Sequence, residues 1–477
     1  MPAAVDGRAA SATTANLETA DRVARAMPPK AKPRAAKPPV AASPWPVLQI
    51  ALDEVNLDRA LQYAREAVAG GADWVEAGTP LIKACGLDAV RALKKEFPGK
   101  VIVADMKTMD TGAFETEMAV KAGADVVGIL GAAADGTFRE AVKAARKYGA
   151  KIYMDLIGVK DKVQRAKEAQ ALGCDYVALH MGIDEQMEQM AGESPLQVLK
   201  AVVGAVTIPV LVAGGLNSET VAPCVKAGAA VVIVGGALTK APDIAAEARK
   251  LKAAIRDRKI IPTASFKRYG QQELAAAFRQ CSTSNVSDAM HRKGAMDPGI
   301  QARQQGVRVA GRAVTVFTAD GDWAKPVEAI EVAQPGDVIV IDARGGPTAM
   351  WGELASHSCQ VRGVAGVVID GAIRDIDDIR AMGFPAWSRH VVPNAGEPKG
   401  FGEIGAEVRC GGQTVRSGDW IVADDMGVVV VAQEEAHEAA NRSLEVHERE
   451  DRLREEIRRG KTLSSVLSLK KWEKVVG

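Results

Sequence analysis

Lys100-Val-Ile-Val-Ala-Asp105-Met-Lys107-Thr-Met-Asp110 is a short β-branched run that ends in charged residues and leads into a helix-length stretch, Phe114 to Ala122. A strand followed by a helix in this way is one βα unit of a parallel sheet. The unit recurs on both sides. Strands are predicted at Val47 to Asp53, Asp73 to Gly78, Lys100 to Lys107, Asp125 to Gly131, Lys151 to Gly158, Tyr176 to Gly182, Pro209 to Gly215 and Val231 to Leu238. Helices are predicted between them, at Leu57 to Ala69, Phe114 to Ala122, Phe138 to Tyr148 and Val221 to Ala227, several ending in Ala-Gly-Ala or Leu-Gly-Cys turns. Eight such units fit an α/β fold of the (β/α)8 TIM-barrel type, whose active site lies at the C-terminal ends of the strands. An open, doubly wound sheet is the alternative.

With 477 residues the chain exceeds what one hydrophobic core supports, roughly 250 to 300 residues, so at least two domains are expected. Hydrophobic residues at 47% and charged residues at 25% fit an ordinary globular protein, and a net charge of +1 speaks against binding nucleic acid or an anionic membrane by charge. Apolar runs such as Ala229 to Val234 fall far short of the roughly 20 residues of a spanning helix. The six cysteines (Cys85, Cys174, Cys224, Cys281, Cys359 and Cys410) are dispersed, without metal-ligand spacing, and read as free thiols in a reducing compartment. Residues 1–43, with the Pro- and Lys-rich segment Pro28 to Pro39, read as a disordered tail. Asp6, Glu18 and Asp21 weaken a transit-peptide reading and no apolar signal core is present, so a cytoplasmic location is expected.

The predicted strand ends are unusually polar. Asp53 ends the first, Glu76 lies near the end of the second, Asp105 and Lys107 close the third, Asp155 sits in the fifth and His180 in the sixth. Singly, each is readily a structural hydrogen-bonding residue. Together on one rim they would leave costly charge unless they bind something. The seventh and eighth strands end instead in Gly214-Gly215 and Gly235-Gly236, where glycine lets backbone N–H groups approach a phosphate closely.

Asp105-Met-Lys107-Thr-Met-Asp110 has the Asp-x-Lys-x-x-Asp spacing of the orotidine 5'-phosphate decarboxylase superfamily. Together with Leu48-Gln-Ile-Ala-Leu-Asp53, Glu76-Ala-Gly-Thr-Pro-Leu-Ile82 and His180-Met-Gly-Ile-Asp184-Glu-Gln186, the segment from about 47 to 250 resembles the 3-hexulose-6-phosphate synthases. A keto-gulonate-phosphate decarboxylase is the competitor; that family carries an arginine shortly after the matching histidine, and Met181 to Gln186 has none. The resemblance implies a Mg2+-dependent aldol reaction (or one using another divalent cation) that joins formaldehyde to D-ribulose 5-phosphate, and its reverse. It implies Glu76 and Asp105 as metal ligands, His180 as the base, Lys107 as the cation beside the developing oxyanion, and Asp53 as a sugar-hydroxyl ligand or a partner for Lys107. Carboxylate oxygens suit Mg2+, and histidine as a residue type titrates near neutral pH. In this superfamily the Asp110 position reaches into the neighbouring subunit's site, which implies a dimer.

The rhythm changes after about residue 260. Strands are predicted at Arg312 to Thr318, Asp337 to Asp342, Gly366 to Ile369 and Gly427 to Val431, separated by turns at Pro335-Gly-Asp337, Gly345-Gly346 and Ser417-Gly-Asp419. This is expected to be a mixed α/β swivelling layer. The domains are thus expected at 44–258 and 265–440, with Lys259 to Phe266 a short connector tolerant of cutting and 441–477 a helical segment with a solvated charged face. Thr283-Ser-Asn-Val-Ser-Asp288-Ala, Trp351-Gly352-Glu353-Leu354-Ala355 and Val368-Ile-Asp-Gly-Ala-Ile-Arg374-Asp375 resemble the ribonuclease-activity regulator (RraA-like) family, which includes 4-hydroxy-4-methyl-2-oxoglutarate aldolases. The resemblance implies Asp375 as a Mg2+ ligand, Arg374 on an oxo-acid carboxylate, and backbone N–H groups of Gly352, Glu353, Leu354 and Ala355 on the remaining charge. Glu353 stands where many members have Asp. The segment is expected to be an oxo-acid aldolase or decarboxylase, a protein-binding regulator, or a platform for higher-order assembly.

Overall fold

Strands that are buried on both faces need apolar side chains in every position, and the first half of the chain supplies short runs of this kind. In the computed structural model, which describes residues 46–180, 195–263 and 266–467, they form β1 (Val47–Leu52), β2 (Trp74–Ala77), β3 (Val101–Thr108), β4 (Val126–Leu130), β5 (Lys151–Asp155), β6 (Tyr176–His180), β7 (Val210–Ala213) and β8 (Val231–Val234). Each pairs in parallel with its neighbour and β1 pairs with β8, so the eight close into a barrel. The open doubly wound sheet is thereby excluded. The predicted tail (1–43), Met181 to Gln186 and the final residues of the predicted C-terminal segment lie outside the described residues.

Because side chains alternate along a strand, every second residue points inward. Val47, Trp74, Val103, Val126, Tyr153, Tyr176, Leu211 and Val231 form the apolar barrel interior. One to three steps further along the same faces stand the polar residues Asp53, Glu76, Asp105, Asp155 and His180. The opposite faces, with Leu48, Ile50, Val75, Ile102 and Val127, pack under the surrounding helices. The last strand is shorter than predicted: Gly236–Thr239 is a helical turn, and β8 stops at Val234.

The second half contains β9 (Gln301–Ala302), β10 (Val309–Thr318), β11 (Val338–Asp342), β12 (Ala349–Trp351), β13 (Gly366–Ile373), β14 (Ala386–Val391), β15 (Gly402–Ile404), β16 (Val408–Cys410), β17 (Gln413–Val415), β18 (Trp420–Asp424) and β19 (Gly427–Val431). The main sheet runs β19-β18-β10-β11-β13-β14-β9, parallel in its centre and antiparallel at its margins. Ile339, Ile341, Val367 and Ile369 face one apolar layer, and Val338, Val340 and Val368 the other. β13 runs past the predicted Ile369 because Asp370 is satisfied within the sheet. It accepts from Arg389 Nε at 2.6 Å and from the Gly411 N–H at 2.7 Å.

Two expectations are corrected. The predicted terminal helix is broken: Ala436–Arg458 stops before Gly460, whose φ of +95° ends the helical path, and Leu463–Leu467 follows. Nor is the connector bare, since Phe266 packs into the barrel's core and is 8% exposed. The helix Ala436–Arg458 spans both halves. Ala436, Ala440 and Leu444 pack with Phe278 and Trp420 of the second half, while Arg452 reaches Glu66 of the barrel.

Candidate active site

The C-terminal ends of β3, β5 and β6 meet in one charged network. Lys107 Nζ lies 2.9 Å from Asp105 Oδ2 and 2.9 Å from Asp155 Oδ2, and His180 Nδ1 lies 3.2 Å from the same Asp155 oxygen. The register of β3 shifts between Ala104 and Thr108, and Lys107 adopts a left-handed φ of 46°. A bulge of this kind re-aims side chains, at a cost of about 1–2 kcal/mol for a residue with a Cβ. Burial alone would raise the Asp155 carboxyl, but His180 and Lys107 outweigh it and hold the group below its ordinary value. Burial would likewise lower Lys107, yet Asp105 and Asp155 push its ammonium well above the usual range. Lys107 is thus a cation held between two carboxylates.

Asp105 is held on both oxygens. Tyr153 donates its hydroxyl to Oδ1 at 2.8 Å, and Thr79 donates to Oδ2 at 2.9 Å. Glu76 accepts from the Gln49 amide, and burial, then Asp105, then Asp53 push its carboxyl well above the ordinary range. Gln49 Oε1 is buried with no hydrogen-bond partner. Asp53 opens to the mouth yet is closely surrounded by protein. That crowding, with Asp105 beside it, raises its carboxyl against the pull of Lys107 and His180. Its carboxylate lies over Gly78, where a Cβ would come within 2.2 Å of Oδ1.

Glu76, Asp105 and Asp53 thus crowd negative charge that a cation would relieve, and the orphan Gln49 oxygen points the same way. Mg2+ commonly takes one or two protein carboxylates and fills its remaining positions with water and substrate, so this donor set fits it. Among the described residues no group of three or more His, Cys, Asp or Glu side chains is arranged to hold a metal ion.

Asp110 stands apart from the network. It is exposed, and its Oδ1 accepts from the Thr111 N–H at 2.6 Å. Gly215 and Gly236 line a cavity of about 720 Å3 at the mouth together with Asp53. Gly235 approaches Asp53, and Gly214 and Gly215 both take left-handed φ values, 106° and 61°.

Sequence reading overlooked Gln49, Thr79, Tyr153 and Gly128. A Cβ on Gly128 would fall 2.2 Å from the Tyr153 hydroxyl, so only glycine admits that ring beneath Asp105. Gly128→Ala is expected to displace Tyr153 and lower kcat/KM roughly tenfold, the worth of one charge-assisted hydrogen bond, in a chain that still folds. Kinetics beside circular dichroism check this, and unchanged kinetics would dissociate Tyr153 from the site.

In the second half β13 ends at Ile373, and Arg374 N–H donates to Trp351 O at 3.0 Å, which sets the following turn against Gly352. Asp375 has a left-handed φ of 53°. Its Oδ2 lies 3.3 Å from Arg374 Nε and accepts from the Glu353 N–H at 3.3 Å. A Cβ on Gly352 would come within 2.5 Å of that oxygen, so a side chain there would push the Asp375 carboxylate aside. The Glu353 donor is thus directed at Asp375, while Leu354 is 79% exposed and Ala355 packs against the core.

Residues 46–251 match the family model described as "Orotidine 5'-phosphate decarboxylase / HUMPS family", and residues 283–430 match that of "Aldolase/RraA". A 3-hexulose-6-phosphate synthase of Mycobacterium gastri is 45% identical over 44% of this chain and 99% of its own length. Those of Bacillus subtilis (strain 168) and Methylomonas aminofaciens are both 41% identical, over 44% and 43% of this chain and 98% and 96% of their own lengths. Near-complete coverage of such relatives shows that the chain belongs, through its barrel, to the orotidine 5'-phosphate decarboxylase / HUMPS family on its 3-hexulose-6-phosphate synthase side, with an Aldolase/RraA segment following in the same chain.

Proposed function

We propose that the barrel is a carbon–carbon lyase that adds formaldehyde to C1 of D-ribulose 5-phosphate, giving 3-hexulose 6-phosphate, and runs the reverse. The observation that carries this reading is the Lys107–Asp155–His180 network beside two crowded carboxylates. Asp155 fixes His180 through Nδ1, leaving Nε2 to take the C1 proton. The resulting enediol carbon attacks formaldehyde, forming the new C–C bond, and the proton returns to the alkoxide of the former aldehyde. Lys107, held protonated, offsets negative charge on the substrate oxygens throughout. Glu76 and Asp105 would hold Mg2+, which supplies further stabilisation of that oxygen charge. Asp53 receives a sugar hydroxyl, and the Gly214-Gly215 and Gly235-Gly236 turns receive the phosphate.

The test is consumption of formaldehyde by the full chain with ribulose 5-phosphate and Mg2+. Turnover that stops on chelation and resumes with Mg2+ is expected; release of carbon dioxide from a keto-gulonate phosphate instead would favour the decarboxylase alternative. Met109, Phe114 and Met118, 54%, 67% and 40% exposed beside Asp110, support a dimer built on this face.

For the second half the reading is an oxo-acid site in which Arg374 holds a carboxylate and Asp375 a divalent cation. Mg2+-dependent pyruvate release from oxaloacetate or 4-hydroxy-4-methyl-2-oxoglutarate is expected, with near-complete loss in Asp375→Asn. No pyruvate from the wild type, with a partner protein captured equally by both forms, would make this half a regulator.

A further inference from the structure

The 720 Å3 cavity is only partly a feature of the barrel. One side is Asp53, Gly215, Gly236 and Lys240; the other is Arg268 and Tyr269 of the segment after the barrel and Glu445 and Arg449 of the helix Ala436–Arg458. The Mycobacterium gastri synthase aligns over 99% of its length to about 208 residues of barrel, so its chain carries no segment that matches this second side. The mouth of this barrel is therefore roofed by its own chain.

The roof is firmly seated. The Phe266 ring fills the space above Gly236, where a Cβ would meet it at 2.3 Å, and its carbonyl accepts from Asn217 Nδ2 at 3.1 Å. Phe266 takes a φ of 56°, a conformation costing about 1–2 kcal/mol that these contacts must hold. Arg268 stacks on this ring at 4.3 Å and pairs with Glu445 at 2.7 Å. Further along the helix, the buried Arg452 bonds Glu66 at 2.9 Å and the Pro242 carbonyl at 2.9 Å.

Around Lys240 the roof adds cations. Lys240 is 3.7 Å from Glu445, which it shares with Arg268, and Arg449 and Glu448 complete its surroundings. Burial first, then Arg268 and Arg449, depress the Lys240 ammonium against the pull of Glu445 and Glu448. Around Lys240 itself three cations stand with two carboxylates, and Asp53 and Glu54 also line the cavity beside Gly215 and Gly236. A dianion entering there would relieve the repulsion.

We propose that this cavity holds the phosphate end of the sugar phosphate, and that Arg268 and Arg449, lent by the chain beyond the barrel, are anion-binding residues for the barrel's reaction. The inference rests on the sugar-phosphate reading of the barrel. It makes the second half a structural part of the first half's substrate site.

The experiment compares full-length wild type with Arg268→Ala, Arg449→Ala, the double variant and Arg268→Lys. Ribulose 5-phosphate and, separately, inorganic phosphate are titrated by calorimetry without formaldehyde, and KM and kcat are measured with it. Loss of one charge-assisted contact is expected to weaken ribulose 5-phosphate binding and raise KM about tenfold or more, with kcat changed by less than threefold and partial recovery in Arg268→Lys. Inorganic phosphate should compete with the sugar phosphate and lose affinity in parallel. Unchanged sugar-phosphate binding in the double variant overturns the proposal, as does phosphate binding that depends on both arginines without competing with the sugar phosphate. If the wild type binds ribulose 5-phosphate through these arginines yet consumes no formaldehyde, the lyase reading fails while this one stands.

Discussion

Replacing Asp105 by asparagine is expected to slow formaldehyde fixation at least about a hundredfold, the usual worth of a preorganised charge at a reacting centre. The substitution keeps the shape of the side chain but removes three things at once. Lys107 loses one of its two carboxylate partners, a hard oxygen is lost to the proposed divalent cation, and the new amide N–H2 must face a donor, either Tyr153 or the Thr79–Lys107 pair. Glu76→Ala should cost as much through the cation alone. The measurement is kcat/KM as a function of Mg2+ concentration, with the melting temperature as a control for folding. Near-normal rates in both variants would remove the synthase assignment.

Replacing Arg452 by alanine is expected to destabilise the chain by about 2 to 3 kcal/mol, the worth of losing buried charge-assisted hydrogen bonds whose carboxylate partners keep other donors. Arg452 is 1% exposed and bonds Glu456 at 3.1 Å and Glu66 at 2.9 Å, and Glu456 in turn pairs with Arg59 at 3.3 Å. Without the guanidinium, Glu456 keeps Arg59 and Lys461, whereas Glu66 loses its link across the helix. Thermal unfolding should shift down by several degrees. A melting curve within a degree of wild type would mean that the helix contributes little to holding the halves together. A chain cut after residue 258 retains all eight barrel strands but loses the same contacts, so it should fold with reduced stability and bind sugar phosphate more weakly.

The barrel was legible because its strands carry their signal locally: β-branched runs, glycine turns, and a charge at the ends of five of the eight strands. What escaped was uncharged or non-local. Gln49 and Tyr153 lie an even number of residues before Asp53 and Asp155, so strand parity places them inward, but as uncharged residues within apolar runs they carry no signal of a site. Gly128 matters only through its register with Tyr153, and Thr79, at the start of the helix after β2, only through its approach to Asp105, and neither relation is encoded in a single element. The Gly235-Gly236 pair was expected near the end of a strand running to Leu238, whereas the strand stops at Val234 and Gly236 begins a helical turn. The terminal helix is the clearest failure. Arg452 and Glu456 have the i,i+4 spacing of an ordinary solvated pair, and only the distant Glu66 and Arg59 turn that pair inward.

That helix also sets an order of events during synthesis. The barrel leaves the ribosome complete by Asp257, whereas the segment bearing Arg452 is made only after the whole of the second half. At roughly 5 to 20 residues per second, the barrel waits about 10 to 40 s for its covering helix. For that interval Glu66 and Arg59 face solvent and the mouth stands open. A nascent barrel can therefore fold before the residues that roof its mouth have been made.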